Sequence, residues 1–560
     1  MLIGHNLSTD SGGMVASRTL LATQAASPAT EFRMPHFDWT FPYRSQRMPV
    51  LARNVVAASQ PLAAQAGLEM LRAGGNAIDA AVACAAALTV VEPNNNGIGS
   101  DLFAIVWDGR KLHGLNASGR SPAAWTREFF NHFDEMPMRG WHSVTVPGAV
   151  SGWVELSKKL GKLPFHELLQ PAIRYAREGF LVSPITAASW KLAVETFREY
   201  ADFAATFTID GRAPLPGELF RSEGHAQTLE AIAGSRGGEF YRGELAKQII
   251  AHAKRGDGVM TLDDLAAHQA EWVGTISMDY RGYQLHEIPP NGQGIGALVA
   301  LGVLRHLPLE DTAVDSAQSL HLQIEAMKLA FADVHQHVSD PAHAKVAPSD
   351  LLDDGYLRAR AELIAPTHAS APDPGDIKRG GTVYLTTADA DGRMVSLIQS
   401  NYAGFGSGIV VPGTGISLQN RGHGFVLERG HPNEVGPRKR PFHTIIPGFL
   451  MRNGKPVMSF GVMGGAMQAQ GHVQIMVRLL DYHQNPQAAC DAPRWRVAAA
   501  KKVFIEHGTS DDVVQKLQAM GHEIERRDFT DFGGGQFIYR LDDGYLGASD
   551  PRKDGQAVGF

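Results

Sequence analysis

Apolar positions between Pro61 and Met70 recur at helical spacing, with Leu62, Ala66 and Met70 on one face. Pro61 suits a first turn, Ser59 stands where an N-cap is wanted, and Gly74-Gly75 ends the pattern. The next segment, AIDAAVACAAALTVV, follows a capping Asn76 and is apolar on nearly every face. It is too short to cross a bilayer, so it predicts a core helix packed closely through its alanines. EPNNNGIGSDLFAIVWDG reads as a Gly/Asn loop entering a strand. Gly97 and Gly99 there suit either a tight connection or a backbone wall of a site, and they do not form a phosphate loop. VPGAVSGW turns into a helix, and PFHELLQPAIRYAREGF predicts one amphipathic helix ending at Gly179. From about 220 to 335, the helical stretches AKQIIAHAKR and HLQIEAMKLAFADV alternate with a strand pair around GTISMDYRGYQLHEIP.

Between Asp340 and Lys378 the chain is rich in Pro, Asp, Ala and His, which predicts a long exposed connection. Beyond Thr382 the pattern shortens to strands. VYLTTAD and MVSLIQS flank an Asp391-Gly392 turn and predict a hairpin, and GISLQN, HTIIPGFLM, PVMSFGV, KVFIEH and GQFIYRL are further strand-like runs. One helix, AQGHVQIMVRLLDYH, lies among them. Antiparallel strands with helices before and between them predict a layered α/β (α+β) body. Residues 1–50 show little periodicity and predict an irregular arm, with regular structure starting near Val55.

Composition narrows the function classes. A net charge of −6 over 560 residues gives no electrostatic case for nucleic acid or an anionic membrane as partner. Cys84 and Cys490 are the only cysteines, which argues against a disulfide framework and a cysteine metal site. The histidines form no HExxH or similar cluster, so isolated ones such as His142 and His472 read as structural, and no metal or cofactor is expected. The start of the chain lacks the features of a secretory signal, and no apolar run reaches the ~18–20 residues of a membrane span. The expectation is a soluble, cytoplasmic protein.

The chemistry centres on Arg379-Gly380-Gly381-Thr382-Val383-Tyr384. A loop-like stretch ends in two glycines, and a threonine opens a β-branched strand. Attack of the Thr382 hydroxyl on the Gly381 carbonyl would cut the chain and leave Thr382 as a new N-terminus. Its free α-amine, with a pKa near 8, would then suit a general base for its own hydroxyl. Taken alone, the stretch fits better as a Gly-Gly turn entering an ordinary strand.

Several collinear motifs change that balance: SQPLAAQAGLEMLRAGGNAIDAA, VVEPNNNGIGSDLFAIV, TVPGAVSGW, LLQPAIRYAREGF, FGSGI, NEVGPRKRP, DAPRWR and GASDPR. In these, the chain from about Val55 to Phe560 resembles the γ-glutamyltransferase (γ-glutamyltranspeptidase) family of N-terminal-nucleophile hydrolases. The resemblance implies a four-layer αββα sandwich and a proenzyme cut between Gly381 and Thr382. The pieces would be a large fragment (51–381, after the arm 1–50) and a small catalytic one (382–560), remaining together as a heterodimer that can assemble further. Matched by position, Thr382 falls on the nucleophile, Ser400 on a supporting hydroxyl, and Gly464 and Gly465 on the glycine pair whose N–H groups form the oxyanion hole.

The departures from the family pattern fall on acyl recognition. Tyr384 replaces a histidine of the nucleophile motif, and Tyr402 occupies the place of a carboxamide. Gly424 stands where an acid binds the α-ammonium of the glutamyl group, and Arg421 where a glutamine precedes it. His443 and Thr444 replace paired serines, and the carboxylate-binding arginine aligns with Ser118, with Arg120 two residues on. The resemblance thus implies hydrolysis or transfer of an acyl (γ-glutamyl-like) group from a small amide such as glutathione through an acyl-threonine. Arg421, Tyr402, His443, Thr444 and Arg120 are the candidate substrate contacts. Arg421 or Arg120 would favour a carboxylate, as in glutaryl, succinyl or oxamate-like acyl groups. Alternatively Glu92, Asp101 or Glu434 supplies the missing acid. A further alternative is an uncut, inactive homologue that serves as a binding protein.

Overall fold

In the strand Gly381–Ala388, successive side chains take opposite sides: Tyr384 and Ala388 point into one apolar cluster, Val383 and Leu385 into another. The same alternation separates Phe103, Ile105 and Trp107 from Leu102, Ala104 and Val106 on the strand Asp101–Trp107. Strands apolar on both faces must be covered on both faces, and the rest of the fold follows from that requirement. The computed structural model describes residues 47–372 and 381–560, so most of the expected N-terminal arm, and Gly380, lie outside the described residues.

Two seven-stranded antiparallel sheets form the two inner layers. One runs in the order Gln556–Gly559, Val55–Ala58, Gly381–Ala388, Met394–Tyr402, Asp101–Trp107, Leu112–Ala117 and Glu271–Trp272. The other runs Val50–Ala52, Gly544–Ser549, Gly534–Leu541, Lys455–Met463, Gly448–Arg452, Tyr283–Glu287 and Ile276–Tyr280. Phe103, Tyr384 and Ile398 from the first sheet meet Phe449, Met463 and Ile538 from the second, sealing the space between them. The helices Pro61–Arg72, Ala77–Val91 and Ala149–Leu160 cover the outer face of the first sheet. Gly294–Leu304, Ala317–His337 and Met467–Leu480 cover the second. This is the αββα sandwich that the resemblance implied. Each sheet takes strands from both sides of the Gly381–Thr382 bond.

The predicted core helix Ala77–Val91 is buried along its whole length, and Asn76 and Asp79 cap it reciprocally. Other expectations need correction. Among the described residues regular structure begins at Val50, which pairs with Gly547, and Arg47 donates to the carbonyls of Asp550, Lys553 and Gly555. Gln60, not Ser59, caps the first helix, because the Ser59 hydroxyl is drawn instead to the buried carboxyl of Glu92. The single helix expected to end at Gly179 breaks into Phe165–Leu168 and Gln170–Glu178, with Pro171 in the first turn of the second piece. The connection after Asp340 holds two short helices, Pro348–Leu351 and Asp354–Ala361, the latter capped by Asp353. GISLQN contributes only the two-residue strand Ile416–Ser417. Cys84 and Cys490 are buried free thiols, and among the described residues no helix is long and apolar enough to cross a membrane.

Candidate active site

Thr382 opens its strand beside a bulge. Gly381 pairs with Tyr402 and Val383 with Gln399, so Thr382 alone faces both Ser400 and Asn401. A two-against-one register re-aims side chains locally. Here it leaves Thr382 and Ser400 in hydrogen-bond contact. Thr382 Oγ1 donates to Ser400 Oγ at 3.2 Å, and Ser400 Oγ donates to the Gly381 carbonyl at 2.7 Å. The backbone N–H of Tyr402, held at φ 78°, also donates to Ser400 Oγ at 2.8 Å. Thr382 and Ser400 are both buried. Ser400 Oγ therefore links the Thr382 hydroxyl to the Gly381 carbonyl oxygen across the bond expected to be cut.

Gly464 and Gly465 follow the strand Lys455–Met463 and precede the helix Met467–Leu480. Their φ values of 119° and 63° are accessible to glycine at little cost. Met467 N–H donates to the Gly464 carbonyl, and Gln468 N–H to that of Gly465. Gln293 Nε2 adds a bond to the Gly465 carbonyl at 2.9 Å. With the Gly464 carbonyl held by the helix start, the Gly465 N–H of the same peptide points away from it, and neither glycine N–H finds an acceptor among the described residues. Gln468, one turn further on, brings its Nε2 to 3.4 Å from Thr382 Oγ1, which ties the helix start that follows the glycine pair to the candidate nucleophile.

Arg421 is about 1 % exposed and lies across the ring of Tyr402, with its guanidinium carbon 4.9 Å from the ring centroid. Its Nη1 donates to Thr444 Oγ1 at 2.8 Å, while its Nε and Nη2 have no partner among the described residues. Burial brings it down to about 10, against the opposing effects of Asp101 and Tyr402, so it stays a cation at neutral pH. Gly424 sits where no side chain fits, since a Cβ would stand 2.5 Å from the Phe442 carbonyl oxygen. The acid absent there is therefore excluded by space as well as by sequence.

The other candidates are placed as follows. His443 Nδ1 accepts from Ile445 N–H, and its Nε2–H donates to Asp101 Oδ2 at 3.1 Å. Burial, with Arg421 and Arg440 nearby, holds its imidazole well below the ordinary value, so it is neutral. Burial pushes the Asp101 carboxyl up to about 7, opposed by Arg421 and by the N–H groups of Gly119 and Gly148. Arg120, expected beside the acyl carboxylate, instead has its fork on Asp340 and Glu271, leaving Arg421 as the buried one of the two candidate arginines. Gly97 and Gly99 let the backbone approach Ser417 and Leu418 closely, the packing reading of that loop. Glu92 is engaged by Ser59 and Asn95, and Glu434 accepts from Gly430 N–H.

Histidine patterns in the sequence missed one buried group, His321, Glu325 and His522, whose ligand atoms lie within reach of a single ion. Lys328 Nζ already sits 2.7 Å from Glu325, whose other oxygen accepts from Ser370, so an ammonium fills the cationic role. His472 is paired with Glu287, and His142 lies against Phe129, Phe130 and Phe133. Sequence reasoning also passed over Gln293 and Gln468. The signal for the second was a set of glutamines, Gln468, Gln470 and Gln474, on a helix that is otherwise mostly apolar and almost wholly buried.

A threonine opening a central strand of an αββα sandwich, with a hydroxyl and a glycine pair beside it, defines the N-terminal-nucleophile hydrolase class. Comparison with known proteins agrees. The γ-glutamyltranspeptidase family model matches residues 63–560. The chain is 37% identical to the glutathione hydrolase-like YwrD proenzyme of Bacillus subtilis, over 91% of this chain and 98% of that one. It is 36% identical to the oxamate amidohydrolase proenzyme of Klebsiella pneumoniae, over 91% and 99%. The crystal structure of cephalosporin acylase from Bacillus halodurans superposes with a TM-score of 0.90 at 50% identity, covering 94% of this chain and 99% of that one. The chain belongs to the γ-glutamyltranspeptidase family and is an enzyme of that family.

Proposed function

We propose that the protein is a self-processing amidohydrolase that removes a carboxylate-bearing acyl group, glutaryl-, succinyl- or oxamate-like, from a small amide. Arg421 carries this reading. A buried cation whose Nε and Nη2 have no partner among the described residues is costly until an anion meets it, and its planar fork matches a carboxylate. Gly424 adds to it, because the site lacks both an acid and the room for one where an α-ammonium would be held.

In this reading the chain is cut between Gly381 and Thr382, giving fragments 1–381 and 382–560 that stay together. Thr382 Oγ then attacks the amide carbonyl, and the freed α-amine takes the hydroxyl proton and passes it to the leaving amine. The N–H groups of Gly464 and Gly465 receive the charge of the tetrahedral intermediate. Water resolves the acyl-threonine, with the same amine as base. Tyr402 and Thr444 hold Arg421 in place for the acyl carboxylate, and the neutral His443 offers no competing charge.

The second reading, γ-glutamyl transfer or hydrolysis, is favoured by the likeness to the glutathione hydrolase-like YwrD proenzyme and by Asp101, an acid in the electrostatic field of Arg421. Measuring kcat/KM for a γ-glutamyl anilide against its des-amino glutaryl analogue separates the two. A preference above about a hundredfold for the glutamyl compound, roughly 2.7 kcal/mol, would reject the carboxylate-only reading.

A further inference from the structure

Gln468 is fully buried, and its orientation is fixed from behind. Its Oε1 accepts from Ile446 N–H at 2.9 Å, so the amide nitrogen must be the end that faces Thr382. Nε2 lies 3.4 Å from Thr382 Oγ1, long for an N–H···O bond, so it barely holds the resting hydroxyl. Once Oγ bonds to a carbonyl carbon, the oxygen that takes up negative charge is attached to that same carbon. A donor that only grazes Oγ is well placed to reach it.

We propose that Gln468 is a catalytic residue: the side-chain donor of the oxyanion hole, acting with the backbone N–H groups of Gly464 and Gly465. The inference rests on Thr382 as the nucleophile and is independent of which acyl group the enzyme takes. The helix start makes the three donors one unit, because Gln468 N–H holds the Gly465 carbonyl while its side chain faces the nucleophile. Self-cleavage has different needs. In the uncut chain the Gly381 carbonyl already accepts from Ser400 Oγ, not from Gln468. Loss of the Gln468 donor should therefore spare the cut and impair acylation of the processed enzyme.

The test uses p-nitrophenyl acetate, an activated ester that makes no demand on acyl recognition. Thr382 Oγ bonds to the ester carbon, its proton goes to the α-amine, and the carbonyl electron pair becomes the oxyanion. Collapse then expels p-nitrophenolate and leaves an acetyl-threonine. Full-length Gln468→Leu and Gln468→Glu proteins would be compared with wild type for chain cutting on a denaturing gel. Acylation would be followed by p-nitrophenolate release and by acetyl mass on the fragment beginning at Thr382. Both variants are expected to cut as wild type does, and to acylate about a hundredfold more slowly with an unchanged dependence on ester concentration. Gln468→Glu can keep the Ile446 bond, so it reports even if Gln468→Leu fails to fold. Wild-type acylation rates in the variants would overturn the inference alone, as would parallel loss of cutting and acylation in both. A wild-type chain that neither cuts nor gains acetyl at Thr382 would overturn the enzymatic reading and this inference with it.

Discussion

Ser400 touches both sides of the Gly381–Thr382 bond: its Oγ accepts the Thr382 hydroxyl at 3.2 Å and donates to the Gly381 carbonyl at 2.7 Å. It can thus orient the attacking group and polarise the group attacked. Ser400→Ala should slow both chain cutting and turnover about tenfold without abolishing either, as expected for hydrogen bonds worth roughly 0.5–1.5 kcal/mol. Time courses of fragment appearance on a gel check the first effect and initial rates the second. Unchanged values for both would mean the serine serves only the backbone N–H of Tyr402.

Thr382 itself is predicted to be indispensable. Thr382→Ala should run as a single 60.5 kDa band and show no activity, while wild type gives two fragments, the smaller beginning Thr-Val-Tyr-Leu. Thr382→Ser keeps the hydroxyl but loses the methyl that restricts its rotamer, so it should cut more slowly. A normally cut Thr382→Ala protein would disprove the assignment.

Replacing Arg421 should separate activity from stability. Arg421→Met removes a buried cation with two unpaired nitrogens and fills the space with an apolar chain, so the melting temperature should hold or rise. At the same time kcat/KM for a glutaryl anilide should fall by about a hundredfold or more, the worth of roughly 2.7 kcal/mol. Arg421→Lys should not rescue it, because an ammonium cannot offer the planar fork. A variant that is unstable yet keeps its relative rate on glutaryl and γ-glutamyl compounds would assign Arg421 to the core.

The layered α/β character and the hairpin at Thr382 were legible because period-two and period-3.6 apolar patterns survive wherever both faces of a strand or one face of a helix are buried. The four-layer αββα arrangement came from the family resemblance, and the order of strands in each sheet was not read. The two-against-one register at Ser400 was not legible, since a bulge depends on how two strands meet and leaves no mark in either. Gln60 displaced Ser59 as a cap because Glu92, 33 positions away, competes for the serine. Arg421 could be named as a candidate from its position, and its unpaired N–H groups needed coordinates. Arg120 looked equally good in sequence and is spent on Asp340 and Glu271, acids that no local pattern places beside it.

The segment 382–560 has an acid-sensitive anchor in Asp550. Burial alone would raise its carboxyl, but Arg494, Arg552 and the N–H groups of Arg552 and Gly535 outweigh that and hold it at about 2, below its ordinary 3.8. A depressed carboxyl contributes stability above the unfolded value and loses it as pH falls through the folded one. Asp550→Asn should therefore cost ~2 kcal/mol at neutral pH, and its gap from wild type should shrink as pH drops from about 4 to 2. Urea midpoints across that range check it; a gap that stays constant would show that Asp550 is not the titrating group.

The interleaving of strands from both sides of residue 381 bears on the life of the molecule after a cut. While the chain is whole, Val55–Ala58 finds its place between Gly381–Ala388 and Gln556–Gly559 by an intramolecular search. Once severed, the same sheet would have to be rebuilt by two separate polypeptides, each exposing the open strand edges that the other covers. Unfolding would then be close to a one-way event, with aggregation competing against a second-order reassembly. The working lifetime of the cut form would be set by how slowly it opens, and a protein that assembles before it is severed would have no route back after it is lost.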